Sequence, residues 1–524
     1  MRRPIHRFKL LAPILAVPAV LLAAAPEAHA ATFTVDDATD AADAVPGDGL
    51  CTTLGGGGCT LRAAVMESNA WAGADDIDIL AGVGPFELNQ VALGDLHLTD
   101  DVDISGNGNT IDGLGALRIF HVWIGVSVDI SDITLRNGAG PLVGGAIYNQ
   151  GDLVLTSSTL TNNTTTTHGG AIKSIAPGSL VLDKCVVDNN TAVIGGGIYS
   201  SGSLKIIESE INLNSASFGG GVYLSSTSPT LASITDTVIS SNHADDRGGG
   251  VFNDAALNIS TSRFEENTAV NSGGGLYAYI SGTTDVFKSD FVGNAADEGG
   301  GAFNLWGQLA LRRVNVEANH ADSSGGGINN QGQMRLFRST VFDNDAITGA
   351  GVYNHWFNAD LDVRNSTISG NVADTTGGGL LLGQNSLATF NNTTVYDNTA
   401  AVGAGLWASA LSTSTLTNTI IATNLDYIGV ANDCVGTIVS DGYNLMQDVT
   451  SCTIGGLATA DIYATEIVLD PLAMNGGRTP THAVPAGTPV LDAGDPTTCL
   501  NKDQRGAPRP AGAGDCDIGA YELQ

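Results

Sequence analysis

The feature that most constrains this chain is a glycine motif, Gly-[Gly/Ala]-[Gly/Ala]-apolar, beginning at Gly144, Gly169, Gly195, Gly219, Gly248, Gly273, Gly299, Gly325, Gly349, Gly377 and Gly403. Successive starts are about 26 residues apart on average. Five or six residues ahead of each of the last ten stands an asparagine, in order Asn163, Asn190, Asn214, Asn242, Asn267, Asn294, Asn319, Asn344, Asn371 and Asn398. That link keeps its length, while the stretch from first glycine to next asparagine runs from 19 to 23 residues, so insertions are confined to one part of the unit. A unit this short cannot bury its own apolar face and must stack on copies of itself, as in a solenoid.

Counting back from the asparagine gives the side-chain directions. The third residue before it is always apolar (Leu160, Val187, Ile211, Ile239, Phe264 and onward to Val395), and so is the eighth (Leu155, Leu182, Ile206 and onward to Phe390). The tenth is mostly Leu, and the fifth is Ser, Thr or Cys in nine of ten cases, Cys185 among them. Steps of two put alternate residues on one face of a strand, and the odd step from eight to five marks a bend between two strands. The expected fold is all-β: a right-handed parallel β-helix of about 11–14 coils, with coils about 4.8 Å apart and a short N-terminal helical cap. Leucine-rich repeats lack a matching pattern here, and propeller blades need longer periods. Asparagine at every coil is expected to tolerate the left-handed region and to bond along the axis as an amide ladder. The glycines permit a tight turn and close backbone approach.

Glycine, at 68 residues, is in excess, yet Pro is only 16, which excludes collagen and Pro-rich disorder. Lys+Arg is 22 against 54 Asp+Glu, a net charge of -32. Nucleic acid is therefore excluded as an expected partner, since phosphate recognition needs a basic stripe. The surplus carboxylates are expected outside, keeping a long β rod soluble and its edges unpaired.

Arg2, Arg3, Arg7 and Lys9 precede the apolar run LLAPILAVPAVLLAAA and the triplet Ala28-His29-Ala30, the pattern of a secretory signal peptide over 1–30. No transmembrane segment is expected in the mature chain, whose destination reads as secreted or the outer face of a bacterial cell. In that setting six of the seven cysteines suggest local disulfides by proximity, Cys51 with Cys59, Cys434 with Cys452 and Cys499 with Cys516, although spacing alone does not fix connectivity. Cys185 reads as a buried small residue.

Both ends carry further signatures. GDGLCTTLGGGGCTLRAAVMESNA (47–70) resembles the CSLREA-type N-terminal domain of exported bacterial β-helix proteins, with Ala63 where that signature has Glu. DCVGTIVSDGYNL, DPLAMNGGRTPTHAV, PVLDAG and DQRGAPRPAGAGDCDIGAYE resemble a choice-of-anchor Q domain. The middle is similar to the passengers of polymorphic outer-membrane proteins, through GGAI at Gly144 and Gly169 and the segments FEEN and FVGN ending at Asn267 and Asn294. The implied organisation is a CSLREA-type cap over 31–80, first coils over 81–143, regular repeats over 144–425 and a choice-of-anchor Q-like domain over 426–524.

Pectate lyases and polygalacturonases share the pectin lyase-like architecture, so chemistry must be weighed. Lyases of that kind need carboxylates for Ca²⁺ and a basic residue to take a proton beside a uronate; glycosidases need two carboxylates flanking the bond. The best local cluster is Asp245, Asp246 and Arg247, with His243 nearby. It is expected to be a solvated loop, with surface calcium at Asp245 and Asp246, or catalysis, as the alternatives. His168 and His320 read as turn residues. Asp470, Arg478, His482, Asp492, Asp503 and Arg505 read as an Arg–carboxylate network holding the end domain together. No cofactor is expected. The resulting expectation is a non-enzymatic, adhesin-like display rod meeting extracellular glycans, matrix or cell-surface components through its variable segments. The alternative is a polysaccharide lyase or glycoside hydrolase working in a groove along the helix, which requires acids and aromatics from neighbouring coils to converge.

Overall fold

The computed structural model describes residues 30–71, 73–140, 142–226, 231–280, 282–510 and 514–524; the leader expected over 1–30 therefore lies, but for Ala30, outside the described residues. Each period is one coil of a parallel β-solenoid of about 14 turns. One full coil runs through Ser203–Ile207, Glu210–Asn212, Ser215–Phe218 and Val222–Leu224, which lie on what we term the first, second, third and fourth faces. Every strand pairs in parallel with its counterparts in the adjacent coils. The column eight before the asparagine is a direct register, Leu155 to Leu182 to Ile206 to Ile234. So is the column three before it, Leu160 to Val187 to Ile211 to Ile239. All these side chains are buried, forming one continuous core.

The asparagine ladder is continuous. The Asn163 backbone N–H and Nδ2 both donate to Asn190 Oδ1, at 2.9 and 3.0 Å. The pattern repeats to Asn398 and Asn424, while each Nδ2 also donates to a carbonyl of the preceding coil, Leu160 O in the case of Asn190. Every amide oxygen in the run thus satisfies donors that the corner would otherwise bury. One expectation needs correction. The left-handed residue is not the ladder asparagine but the one before it, such as Asn189 at φ 54° or Leu213 at φ 55°. That residue reverses the chain so that the asparagine points inward along the axis. The bend between first and second faces has its own left-handed residue, such as Lys184 at φ 55°. Here the Ser/Thr column forms a second ladder: Ser209 Oγ accepts the Cys185 N–H at 3.0 Å and donates to Ile207 O at 2.7 Å. Cys185 is free and buried, and burial pushes its thiol up to about 11. The glycine motif is needed for coil stacking, since a Cβ on Gly196 would lie 2.4 Å from Gly220 O.

The ladder ends on Asp433, whose Oδ1 accepts both donors of Asn424, at 2.9 and 2.8 Å. Burial pushes this carboxyl up to about 6. A carboxyl raised in the folded state contributes stability that is present below its unfolded value and lost as pH rises through about 6. Hydrogen exchange of the coil holding Asn424 is therefore expected to speed up as pH rises through that value, after correction for intrinsic exchange. The change should be absent in Asp433→Asn, and an equal change in that variant would overturn the assignment.

At the N-terminal end, Thr32–Val35 pairs with Asp75–Ile79, and the helix Leu61–Ala70 buries Leu61, Ala64 and Val65. Thr60 caps it by accepting the Ala63 N–H at 3.1 Å. Arg62 and Asp40 form a buried pair at 2.6 Å, and Glu67 accepts the N–H groups of Gly47 and Gly49. At the other end, the segment after Tyr463 turns back along the second face as a strap. Arg478 meets Asp290 at 2.8 Å, Thr340 Oγ1 donates to Pro480 O at 2.7 Å, and His482 meets Ser369 Oγ at 2.8 Å. This cover explains why Thr340, Thr367 and Thr394, on outward positions, are buried, whereas Glu210 in an uncovered coil is exposed. The three disulfides join Cys51 to Cys59, Cys434 to Cys452 and Cys499 to Cys516.

Candidate functional site

Asp245, Asp246 and Arg247 lie in a strand, His243–Arg247, on the third face, not in the loop expected from sequence. The Asp245 and Asp246 side chains take different partners, and a register irregularity brings Asp246 and Arg247 together. Asp245 points into solvent with His243 Nε2 at 3.3 Å, whereas Asp246 accepts from Asn271 Nδ2 at 2.8 Å and lies 3.3 Å from Arg247 Nε. Arg247 covers the Tyr277 ring at 5.6 Å. That ring belongs to a column on the fourth face that sequence reading did not single out: Tyr199, Tyr223, Phe252, Tyr277 and Phe303 occupy the outward position in successive coils. Tyr199 and Tyr223 stack at 5.4 Å and 6°, and Tyr277 and Phe303 at 5.2 Å and 9°. Phe252, Tyr277 and Phe303 are buried beneath Phe218, Tyr279 and Leu305. Arg247 is thus a packing residue over an outer apolar ridge. His168 stands edge-on to Tyr199, and His320 bridges Asp322 and Asp345.

The polar groups of the end segment join strap to rod. His482 donates from Nδ1 to Asp470 O at 2.7 Å and accepts from Ser369, and burial pushes its imidazole below the ordinary range. Arg505 pairs with Asp503 at 2.7 Å, and the Asp492 N–H donates to Asp517. Of the residues expected to form one Arg–carboxylate network, only Arg505 and Asp503 pair with each other; Arg478 reaches Asp290 of the rod, and Asp470 and Asp492 take part through backbone groups.

The arrangement with most scope for recognition is elsewhere, on the first face. Outward positions in register bring Asp285, Ala310, Arg335, Asp362 and Thr389 into one line. Beside it runs a second line, Phe287, Arg312, Phe337 and Arg364. The small Ala310 leaves a hollow, and the result is an open groove of about 570 Å³ with a floor of charge and amide groups. Arg312 grips Asp285 through two N–H groups, and Arg364 Nε lies 2.7 Å from Asp362 Oδ1. Between those pairs, the exposed Arg335 guanidinium has no hydrogen bond or ion pair among the described residues. Leu500 of the strap adds to the wall further along.

The turns that lead into this face carry exposed rings. Trp306, two residues before the groove residue Gln308, is 52% exposed, and Trp356 and Phe357, ahead of Asp360, are 53% and 73% exposed. Trp306 and Trp356 also sit at φ 57° and 98°, where bulky residues are rare and strained. Sequence reading found the variable turns but not the groove, because its residues are spread over several coils and come together only through register.

Fold and groove together define a parallel β-solenoid with a polar cleft across its coils. No family model matches the chain, and no curated protein matches it. Among solved structures it is similar to pectate lyase Pel9A, at 10% identity, covering 94% of this chain and 96% of that one with a TM-score of 0.24.

Proposed function

We propose that this protein is a rigid exported display rod that binds an extracellular glycan along the first-face groove, with a leader over 1–30, a CSLREA-type cap near its start and a choice-of-anchor Q-like segment near its end. The observation that carries the reading is the groove between Gln308 and Asp362, whose polar floor lies on strands entered from turns that carry the exposed rings Trp306, Trp356 and Phe357. Sugars present hydroxyls to such a floor and C–H faces to such rings, and amphipathic aromatic side chains suit that contact. Arg335, whose guanidinium has no partner among the described residues, supplies charge-assisted donors for a carboxylate-bearing sugar. Three disulfides agree with an oxidising, extracellular setting. Matrix and cell-surface glycoconjugates are ligands of the same chemistry.

The second reading is a uronate lyase. It is favoured by Arg335 standing in line between Asp285 and Asp362, a basic group among carboxylates that could hold Ca²⁺. The pairing of both acids with arginines favours binding over turnover, because those carboxylates are already engaged.

Titration calorimetry with polygalacturonate and a neutral glucan separates the readings. Arg335→Ala is expected to weaken polygalacturonate binding about tenfold, the loss of a charge-assisted contact, with little effect on stability because the side chain is exposed. Polymer recovered intact supports display. Growth of the ultraviolet absorbance of an unsaturated uronide overturns it for the lyase, and failure of both polymers to bind overturns both.

A further inference from the structure

Far from the groove, near the N-terminal end of the fourth face, the outward column that later carries Tyr199 and Tyr223 begins with two histidines. Leu96–Leu98 pairs with Phe120–Val122, so His97 lies directly opposite His121 in the next coil. Asp95, two residues before His97, shares that outward side. Donor atoms of Asp95, His97 and His121 all lie within 4.8 Å of one another. We propose that Asp95, His97 and His121 form a binding site for a divalent first-row transition ion of the zinc class, joining two consecutive coils beside the N-terminal helix.

The surroundings are those of a built site. His121 Nε2 lies 2.9 Å from Gln150 Oε1, and an amide oxygen can only accept, so the ring proton sits on Nε2 and Nδ1 keeps its lone pair. Fixing a histidine's tautomer through its second nitrogen is how metal-binding imidazoles are oriented. The ring packs against Trp123 at 5.3 Å and Tyr148 at 4.9 Å. Asp95 divides its two oxygens: Oδ2 takes the Arg118 guanidinium, with Nε at 2.6 Å, while Oδ1 faces His97 Nε2 at 2.9 Å. An ion between Oδ1 and Nε2 replaces that hydrogen bond and its proton, with Arg118 still holding the other oxygen. The His97 strand is itself pinned to the helix, since Asn69 Nδ2 donates to His97 O at 2.7 Å and Asn69 Oδ1 accepts the Thr99 N–H at 2.8 Å.

Two imidazoles and one carboxylate suit zinc and its neighbours better than calcium, which prefers six or more oxygens. Asp95 and His97 also line a cavity of about 270 Å³ shared with Arg62, Val65, Met66 and Asn69 of the helix, which has room for a water or ligand atom as a further donor. This site is independent of the glycan reading, since none of its residues lines the groove.

The test uses the mature full chain and Zn²⁺ alone, titrated in excess Ca²⁺ so that exposed carboxylates are occupied. One Zn²⁺ per chain is expected, with His97→Gln and His121→Phe each weakening it tenfold or more; Phe keeps a ring in contact with Trp123 and Tyr148. Co²⁺ added to the unaltered protein gives a second readout, expected to be the intense visible bands of a low-coordinate nitrogen and oxygen site, and this decides the matter should either variant fail to fold. Zn²⁺ binding unchanged in both folded variants, no binding beyond what Ca²⁺ displaces, or a pale spectrum of hydrated Co²⁺ overturns the proposal.

Discussion

Replacing Asn267 by alanine is expected to destabilise the middle of the rod by about 3–5 kcal/mol, the cost of stranding two or three buried polar groups. Asn267 Oδ1 accepts the Asn242 N–H at 3.1 Å and Asn242 Nδ2 at 2.9 Å, while its own Nδ2 serves Ile239 O at 2.8 Å and Asn294 Oδ1 at 2.9 Å. Alanine leaves the buried Asn242 N–H without its acceptor. Because the β-strands of each coil pair only with those of the adjacent coils, the damage should be local: faster hydrogen exchange in the coils holding Asn242 and Asn267, a lower urea midpoint, and slow exchange retained near Asn398. Loss of protection spread evenly along the rod, or a change no larger than that of an exposed Asn→Ala, would show that the ladder is a by-product of stacking and not a support. Asn267→Asp is a useful companion, because an ionised carboxylate keeps both acceptor roles but cannot donate to Ile239 O.

The second large effect is expected at Arg509, whose side chain is fully buried in the strap. It donates to Asp517 O and Gly519 O at 2.8 Å each and lies 3.4 Å from Glu522 Oε2. Burial pushes the guanidinium down to about 10, still well above neutral pH, so it remains charged. Arg509→Met removes a buried cation from beside the Glu522 carboxylate and strands the Asp517 and Gly519 carbonyls, a change that costs roughly 3–5 kcal/mol in such settings. The strap should then loosen while the coils persist. Limited proteolysis is expected to cut beyond residue 463 and leave the earlier coils intact, and adding Glu522→Gln should restore part of the resistance. A strap as resistant in the variant as in the parent would mean that contacts such as Gln504 with Thr367 hold it unaided.

The architecture was legible because coil stacking repeats one physical requirement in every period. Inward aliphatics at Leu182 and Val187, a hydroxyl at Ser209 and an amide at Asn190 each recur for a reason that acts locally, and so they appear as columns. Asparagine's place in the turn was misjudged by one residue, since the ladder needs its side chain inward and leaves the left-handed backbone to a neighbour such as Leu213. The site was much less visible. Asp285, Arg335 and Asp362 carry no short motif, and their meeting depends on register between coils. Asp95, His97 and His121 form no short motif either, because one coil separates the two histidines. Asp245 and Asp246, adjacent in sequence, looked like a cluster, yet their side chains take different partners.

The turn from fourth to first face absorbs the length differences between coils, with two residues between Asn149 and Asp152 but five between Asn354 and Asp360. Pitch is set at the other corners by glycine stacking and by the amide and hydroxyl ladders. Insertions and deletions at this one margin therefore leave the phase of the remaining coils undisturbed. A lineage of such rods can rework what it grips one turn at a time, with no need to re-solve how the whole is wound.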